Sequence, residues 1–245
     1  MPIVVALFAS GVFAAGFYSF VTGNTGEAVA PTQPRLSASI QPSHTQLVTL
    51  VIGDSLARGT GDDTGLGIGG RLVEELKKSH ANVKPAINIA VNGARTPDVE
   101  EQLKSHNVQV LIAQSNVIVV SIGGNDLWGG TEWRAVALRD PNVFMADVLN
   151  HVTKIVTTIR AANPAARIFL VGLYNPFVSA PFGRRLSFFV NRWNSEVIDR
   201  FASDPNFTLV ETSDLFSHRD RLSFDRFHPN SEGYALIARR IAESL

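Results

Sequence analysis

Cysteine is absent from the 245-residue chain. That excludes a disulfide scaffold, thiolate zinc sites, a cysteine nucleophile and a lipid-modified cysteine at the amino end. Surplus charge of either sign is missing too: Lys plus Arg and Asp plus Glu number 22 each, for a formal net charge of zero. Such a balance gives no support to nucleic-acid binding or to broad attraction toward anionic surfaces. There is no internal repeat, no sign of a second catalytic domain and no Walker lysine. What is present is a chain 45% apolar, enough to bury the core of one domain of roughly 200 residues.

Charge is also absent from Ile3 to Val21, which is rich in Val, Ala and Phe. About 20 apolar residues span a bilayer, and an export signal needs an apolar core of about 7 to 15. Residues 1–22 are read as a signal peptide or membrane anchor, and either places the remainder outside the cytoplasm. Residues 23–45 mix Pro, Ser, Thr and Gly without periodicity and read as a flexible linker.

From Gln46 onward, short apolar runs alternate with helical patterns. The runs are Leu47 to Ile52, Ile87 to Ala90, Val117 to Ile122, Ile168 to Leu173 and Phe207 to Val210. Several are apolar throughout, as strands buried on both faces are. Helical spacing marks Arg71 to Ser79, Phe144 to Ile159, Leu186 to Phe201 and Ser231 to Leu245. Another helix, Pro97 to Leu103, is expected to take Thr96 as its N-cap. Strict alternation of strand and helix predicts an α/β fold, a three-layer, doubly wound, five-stranded parallel sheet of flavodoxin-like type in a single domain over 46–245.

The chemistry-bearing residues sit just past the strands. Gly53-Asp54-Ser55 turns the first strand and presents a hydroxyl where open α/β sheets bind ligands. Of the six histidines, His44 lies in the linker, while His80, His106 and His151 lie on or beside helices as surface residues. His218 is in a charged loop. His228 follows Asp225 by three residues in a non-helical loop that lets the carboxylate reach Nδ1 and leaves Nε2 for the serine. Gly93, in the Asn92-Gly93 turn, lets a backbone N–H approach a ligand closely. Asn125, in Gly123-Gly124-Asn125-Asp126, offers a side-chain amide. Asp54 and Asp126 are expected to hold their own turns by local hydrogen bonds.

Taken together, Gly53-Asp54-Ser55-Leu56, Asn92-Gly93, Gly123 to Asp126 and Asp225 to Pro229 resemble the four blocks of the GDSL, or SGNH, family of serine esterases and lipases. The resemblance runs from about Gln46 to the carboxyl end. It implies Ser55 as nucleophile, His228 as general base and Asp225 as its orienting partner. The oxyanion donors would be the N–H groups of Ser55 and Gly93 with the Asn125 amide. Neither metal nor organic cofactor is needed. The family implies hydrolysis of a small-molecule ester or lipid, with short-chain acyl esters or lysophospholipid-like substrates first and deacetylation of cell-wall or other glycans second. A catalytically silent, membrane-tethered binding module is the reading from another class. The membrane would be met through the amino-terminal segment, if it is uncleaved.

Substrate contacts are expected from Trp128 and Phe177, past strand ends, with Trp133 in the same region. Phe188 and Phe189 are expected to pack in the core. Arg184-Arg185 and Arg239-Arg240 read as solvated faces. Gly65 to Gly70 spells G-x-G-x-x-G, but more than ten residues after the strand and without an acid about 20 residues on. With Asp62 and Asp63 it is expected to be a mobile loop beside the site.

Overall fold

Two-sided burial explains why the central strands are largely apolar. In β1 (Thr49–Gly53) and β3 (Val117–Ser121) every residue is buried. Side chains alternate across a pleated sheet. Leu50, Ile52, Ile118, Val120, Ile168 and Leu170 therefore meet one helical layer. Val51, Val117, Val119, Phe169 and Val171 meet the other. The structure is a computed structural model that describes residues 46–128 and 141–245. The expectations for residues 1–45 and for Trp133 lie outside them, and so does the Trp128 side chain. Among the described residues no helix is long and apolar enough to cross a membrane.

With β2 (Ile87–Asn88), β4 (Arg167–Val171) and β5 (Phe207–Val210), the strands form one parallel sheet of order β2-β1-β3-β4-β5. β2 is shorter than the apolar run suggested, yet the chain stays on β1. The N–H of Ile89 donates to the Val51 carbonyl at 3.0 Å and that of Val91 to Gly53 at 2.9 Å. Helices α1 (Ser55–Arg58), α2 (Gly67–Leu76) and α8 (Ser231–Glu243) cover one face. Helices α3 (Thr96–Leu103), α4 (His106–Gln114), α6 (Pro141–Ala162) and α7 (Gly183–Phe201) supply the other core. The short α5 (Gly124–Trp128) follows β3 directly. This is the doubly wound α/β architecture expected, and its strand order reverses between β1 and β3, where such sheets hold ligands.

Two local expectations are corrected. Arg95, not Thr96, is the N-cap of α3, with extended backbone and its N–H given to the Asp98 carboxylate at 2.8 Å. Thr96 is the first helical residue, and its hydroxyl and N–H donate to Asp126. Gly65 to Gly70 is no mobile loop. Helix α2 starts at Gly67, whose N–H donates to Asp62 Oδ2 at 2.8 Å. That carboxylate also takes the hydroxyls of Thr64 and Ser231, at 2.7 and 2.9 Å, so it joins α2 to α8.

Candidate active site

The site is assembled at the carboxyl ends of β1 and β3. Gly53 has φ 137°, and a Cβ there would lie 1.8 Å from the Ser121 carbonyl oxygen. Only glycine lets β1 bend this closely past β3. Asp54 then caps α1, its carboxylate accepting from the Leu56 N–H at 3.0 Å. Ser55 falls at the first helical position, where a backbone N–H has no partner within the helix.

The imidazole arrives from the other end of the chain, on the loop before α8. His228 Nε2 lies 2.8 Å from Ser55 Oγ, and Nδ1 lies 2.6 Å from Asp225 Oδ2. The second Asp225 oxygen accepts from the Ser223 hydroxyl at 2.7 Å and from the N–H groups of Phe227 and His228, both at 2.9 Å. Burial pushes the Asp225 pKa up, but these hydrogen bonds, led by that of His228, outweigh it and hold the carboxyl well below its usual range. An ionised Asp225 takes the Nδ1 hydrogen, which leaves Nε2 free to accept the serine proton.

The rest of the loop is held from outside. Its ends pair as an antiparallel bridge, Leu222 with Pro229. The Tyr174 hydroxyl, just past β4, donates to the Phe227 carbonyl at 2.6 Å. Tyr234 in α8 donates to the Thr60 carbonyl at 2.7 Å. Gly61, with φ 93°, lies so close that a Cβ would sit 2.6 Å from the Pro229 oxygen and 3.0 Å from the His228 Cβ.

Asn125 lines the same pocket as Ser55 and His228. Its Nδ2 donates one hydrogen to the Ala94 carbonyl at 2.9 Å, which aims the amide and leaves its second hydrogen. Gly93 has φ 79° and does not line the pocket. Its neighbours nevertheless tie it to the rim: Asn92 Oδ1 accepts from the Thr60 hydroxyl at 3.3 Å, and Ala94 holds Asn125. Among the described residues the Gly93 N–H has no acceptor.

Asp54 does hold its own turn, as expected, and also accepts from the Ser121 hydroxyl at 3.3 Å. Burial pushes its pKa up to about 6. Asp126 bonds to its own backbone, as expected, and also reaches well beyond its turn. The carboxylate accepts the Thr96 N–H at 3.0 Å and the Thr96 hydroxyl at 2.7 Å, across 30 residues. With Asn125 and Ala94, this makes two ties between the segment after β2 and the one after β3. Burial pushes the Asp126 pKa up as well.

The apolar wall is made by Val171, Leu173, Tyr174, Pro176 and Phe227. Phe177 stands outside that wall, 37% exposed, its ring 6.1 Å from Phe227 and 6.0 Å from Phe182. Trp128 ends α5. Phe188 is another correction: it is 71% exposed rather than core, because it faces outward from α7, while Phe189 packs on the core. His218 only precedes the short 3-10 turn Arg219–Arg221. His80 and His106 are exposed, and His151 pairs with Glu100. Tyr174, Ser223 and the Thr96–Asp126 pair were not singled out from the sequence. For Tyr174 a signal existed, since it follows a strand just as Ser55 and Asn125 do.

No cluster of His, Cys, Asp or Glu able to hold a metal occurs among the described residues. The GDSL-like lipase/acylhydrolase family matches residues 51–236, and so spans every block of the site. The Bacillus subtilis protein YpmR is 32% identical over 208 residues, covering 81% of each chain. The spore germination lipase LipC of Bacillus licheniformis is 25% identical, over 78% of this chain and 92% of its own. Among solved structures, the lipase Lip_vut3 from a goat rumen metagenome superposes with TM-score 0.71 at 23% identity, over 81% of this chain and 97% of its own. With the family matched over most of the chain and a relative 32% identical over 81% of it, the chain belongs to the GDSL-like lipase/acylhydrolase family of serine ester hydrolases.

Proposed function

We propose that the chain hydrolyses short-chain acyl esters or lysophospholipid-like esters through an acyl-serine intermediate on Ser55. His228 Nε2 takes the hydroxyl proton as Oγ attacks the ester carbonyl, and the ionised Asp225 stabilises the imidazolium that forms. The oxyanion receives the Ser55 N–H, the Gly93 N–H and the free Nδ2 hydrogen of Asn125. His228 then protonates the departing alcohol, and a water activated by the same nitrogen releases the acid. The 2.8 Å contact between Ser55 Oγ and His228 Nε2, made by residues 173 positions apart, carries this reading. The apolar wall of Val171, Leu173, Pro176 and Phe227 favours an alkyl acyl group. We place the enzyme outside the cytoplasm, anchored or exported by residues 1–22.

A p-nitrophenyl ester chain-length series, run beside acetylated glycans, tests both the reaction and its substrate. Turnover is expected on the esters, falling by about 10⁴-fold or more in Ser55→Ala and in His228→Ala. His218→Ala stays near wild type, and a fluorophosphonate labels the wild type but not Ser55→Ala. An active His228→Ala enzyme would overturn the assignment of the base. Turnover confined to acetylated glycans would replace the substrate class.

A further inference from the structure

Large apolar side chains are exposed on both sides of the pocket mouth. The segment after β4 supplies Tyr174 and Pro176 to the pocket, then exposes Val178 by 45%, Phe182 by 57% and Phe188 by 71%. The His228 loop supplies Phe227 and exposes Phe224 by 96%. Phe224 sits in a turn closed by the Arg226 N–H donating to the Ser223 carbonyl at 2.9 Å. Turn tips ordinarily carry Gly, Pro, Asn, Asp or Ser, so a bare phenyl ring there is costly to hydrate without a partner. The rings are continuous with the chemistry: Phe182, Phe177, Phe227 and His228 follow one another at centroid spacings of 6.0, 6.1 and 5.0 Å.

The unpaired charges beside these rings are positive, and the acids nearby, Asp214 and Asp225, are held by Arg240 and His228. Arg184, Arg185 and Arg226 are exposed and make no ion pair among the described residues. No Asp or Glu occurs from Tyr174 to Ser195. The one acid at the Phe224 turn, Asp225, is already held by His228. In a chain whose net charge is zero, a face that combines exposed rings with unpaired arginines matches an interface of acyl chains beneath negatively charged headgroups.

We propose that this aromatic and arginine rim docks the domain onto anionic phospholipid bilayers, with Phe182, Phe188 and Phe224 entering the interface and Arg184, Arg185 and Arg226 meeting the headgroups. Docking would bring the mouth of the Ser55 pocket against the lipid. It goes beyond ester hydrolysis and does not require turnover, so its test uses Ser55→Ala chains in which no lipid is consumed. The absence of cysteine allows a single polarity-sensitive fluorophore at Phe182→Cys, Phe224→Cys or, as a control, His80→Cys beyond the far end of α2.

Vesicles of phosphatidylcholine alone are compared with vesicles containing phosphatidylglycerol, using the full chain. Fluorophores at positions 182 and 224 are expected to shift to the blue and be quenched by spin-labelled acyl chains only with phosphatidylglycerol present, while the one at position 80 does neither. Adding Arg184→Glu and Arg185→Glu should weaken the response roughly tenfold or more, as should raised salt. Hydrolysis of a soluble short-chain ester by Phe182→Ser/Phe188→Ser in the Ser55 enzyme should stay near wild type. An equal response to neutral and anionic vesicles, or no response at either rim position, overturns the proposal. So does a blue shift that grows with protein concentration without vesicles, which would make the rim a contact between copies. If Ser55→Ala were active while the rim still docked, the catalytic reading would fail alone.

Discussion

Asp54 stands next to the serine, buried and 6% exposed, and is the group at which acidity and stability meet. Burial raises its pKa from the ordinary carboxylate value to about 6. A carboxyl whose folded pKa is raised favours the neutral form in the native state. Its contribution to stability is therefore full below the unfolded pKa of about 3.9 and is lost as pH rises through about 6, a loss of about 3 kcal/mol. Asp54→Asn keeps an oxygen for the Leu56 N–H and the Ser121 hydroxyl but never ionises. The Tm of Asp54→Asn minus that of wild type is expected to rise by roughly 5 to 10 °C between pH 4 and pH 8. A difference independent of pH in thermal scans would show that Asp54 does not titrate in this window. Asp225 behaves in the opposite way: its hydrogen bonds keep it ionised, and so able to orient His228, throughout that range.

At the level of elements, the glycines after α1 divide into those that touch the site and those that only turn the chain. Gly61 and Gly65 both have left-handed φ, 93° and 71°. A Cβ at Gly61 would press on Pro229 and His228, whereas one at Gly65 meets nothing within 4 Å. Alanine at either position costs about 1–2 kcal/mol of backbone strain, but only Gly61→Ala displaces the imidazole. We expect kcat/KM to fall about tenfold or more in Gly61→Ala and to stay within about twofold in Gly65→Ala, in ester assays at a temperature where both are folded. Equal activities would mean that the loop yields without moving His228. The pattern along the chain explains what was legible here. The central strands β1, β3 and β4 lie in largely apolar runs with local boundaries, and Asp225 reaches His228 within one loop. Helix α4 escaped because its apolar residues Val108, Leu111 and Ile112 occupy barely two turns. The ties Thr96–Asp126 and Tyr174–Phe227 escaped because each joins residues whose partner no local period specifies.

For the molecule as a whole, cohesion and chemistry lie at opposite ends of one sheet. Helix α8 begins beside His228 and ends at Glu243, two residues before Leu245, whose carbonyl accepts from the Arg167 side chain at the first residue of β4. Near that lower end Ile241 is wholly buried. Truncating it leaves a cavity that costs about 2–5 kcal/mol, or roughly 4–20 °C in Tm for a domain of this size. Asn125, half-buried at the upper end, makes one side-chain hydrogen bond among the described residues, to Ala94. On the proposed mechanism its truncation removes an oxyanion donor, a loss of about 10²- to 10³-fold in kcat. The two substitutions should thus separate cleanly. Ile241→Ala is expected to melt early yet hydrolyse a short ester at near wild-type kcat at low temperature. Asn125→Ala is expected to melt within a few degrees of wild type, since a lost hydrogen bond contributes about 1 kcal/mol, and to hydrolyse slowly at every temperature. Paired thermal scans and initial rates decide it. If Ile241→Ala lost turnover in proportion to stability, the imidazole would depend on the whole of α8. If Asn125→Ala kept its kcat, the oxyanion would be held by the backbone N–H groups of Ser55 and Gly93 alone.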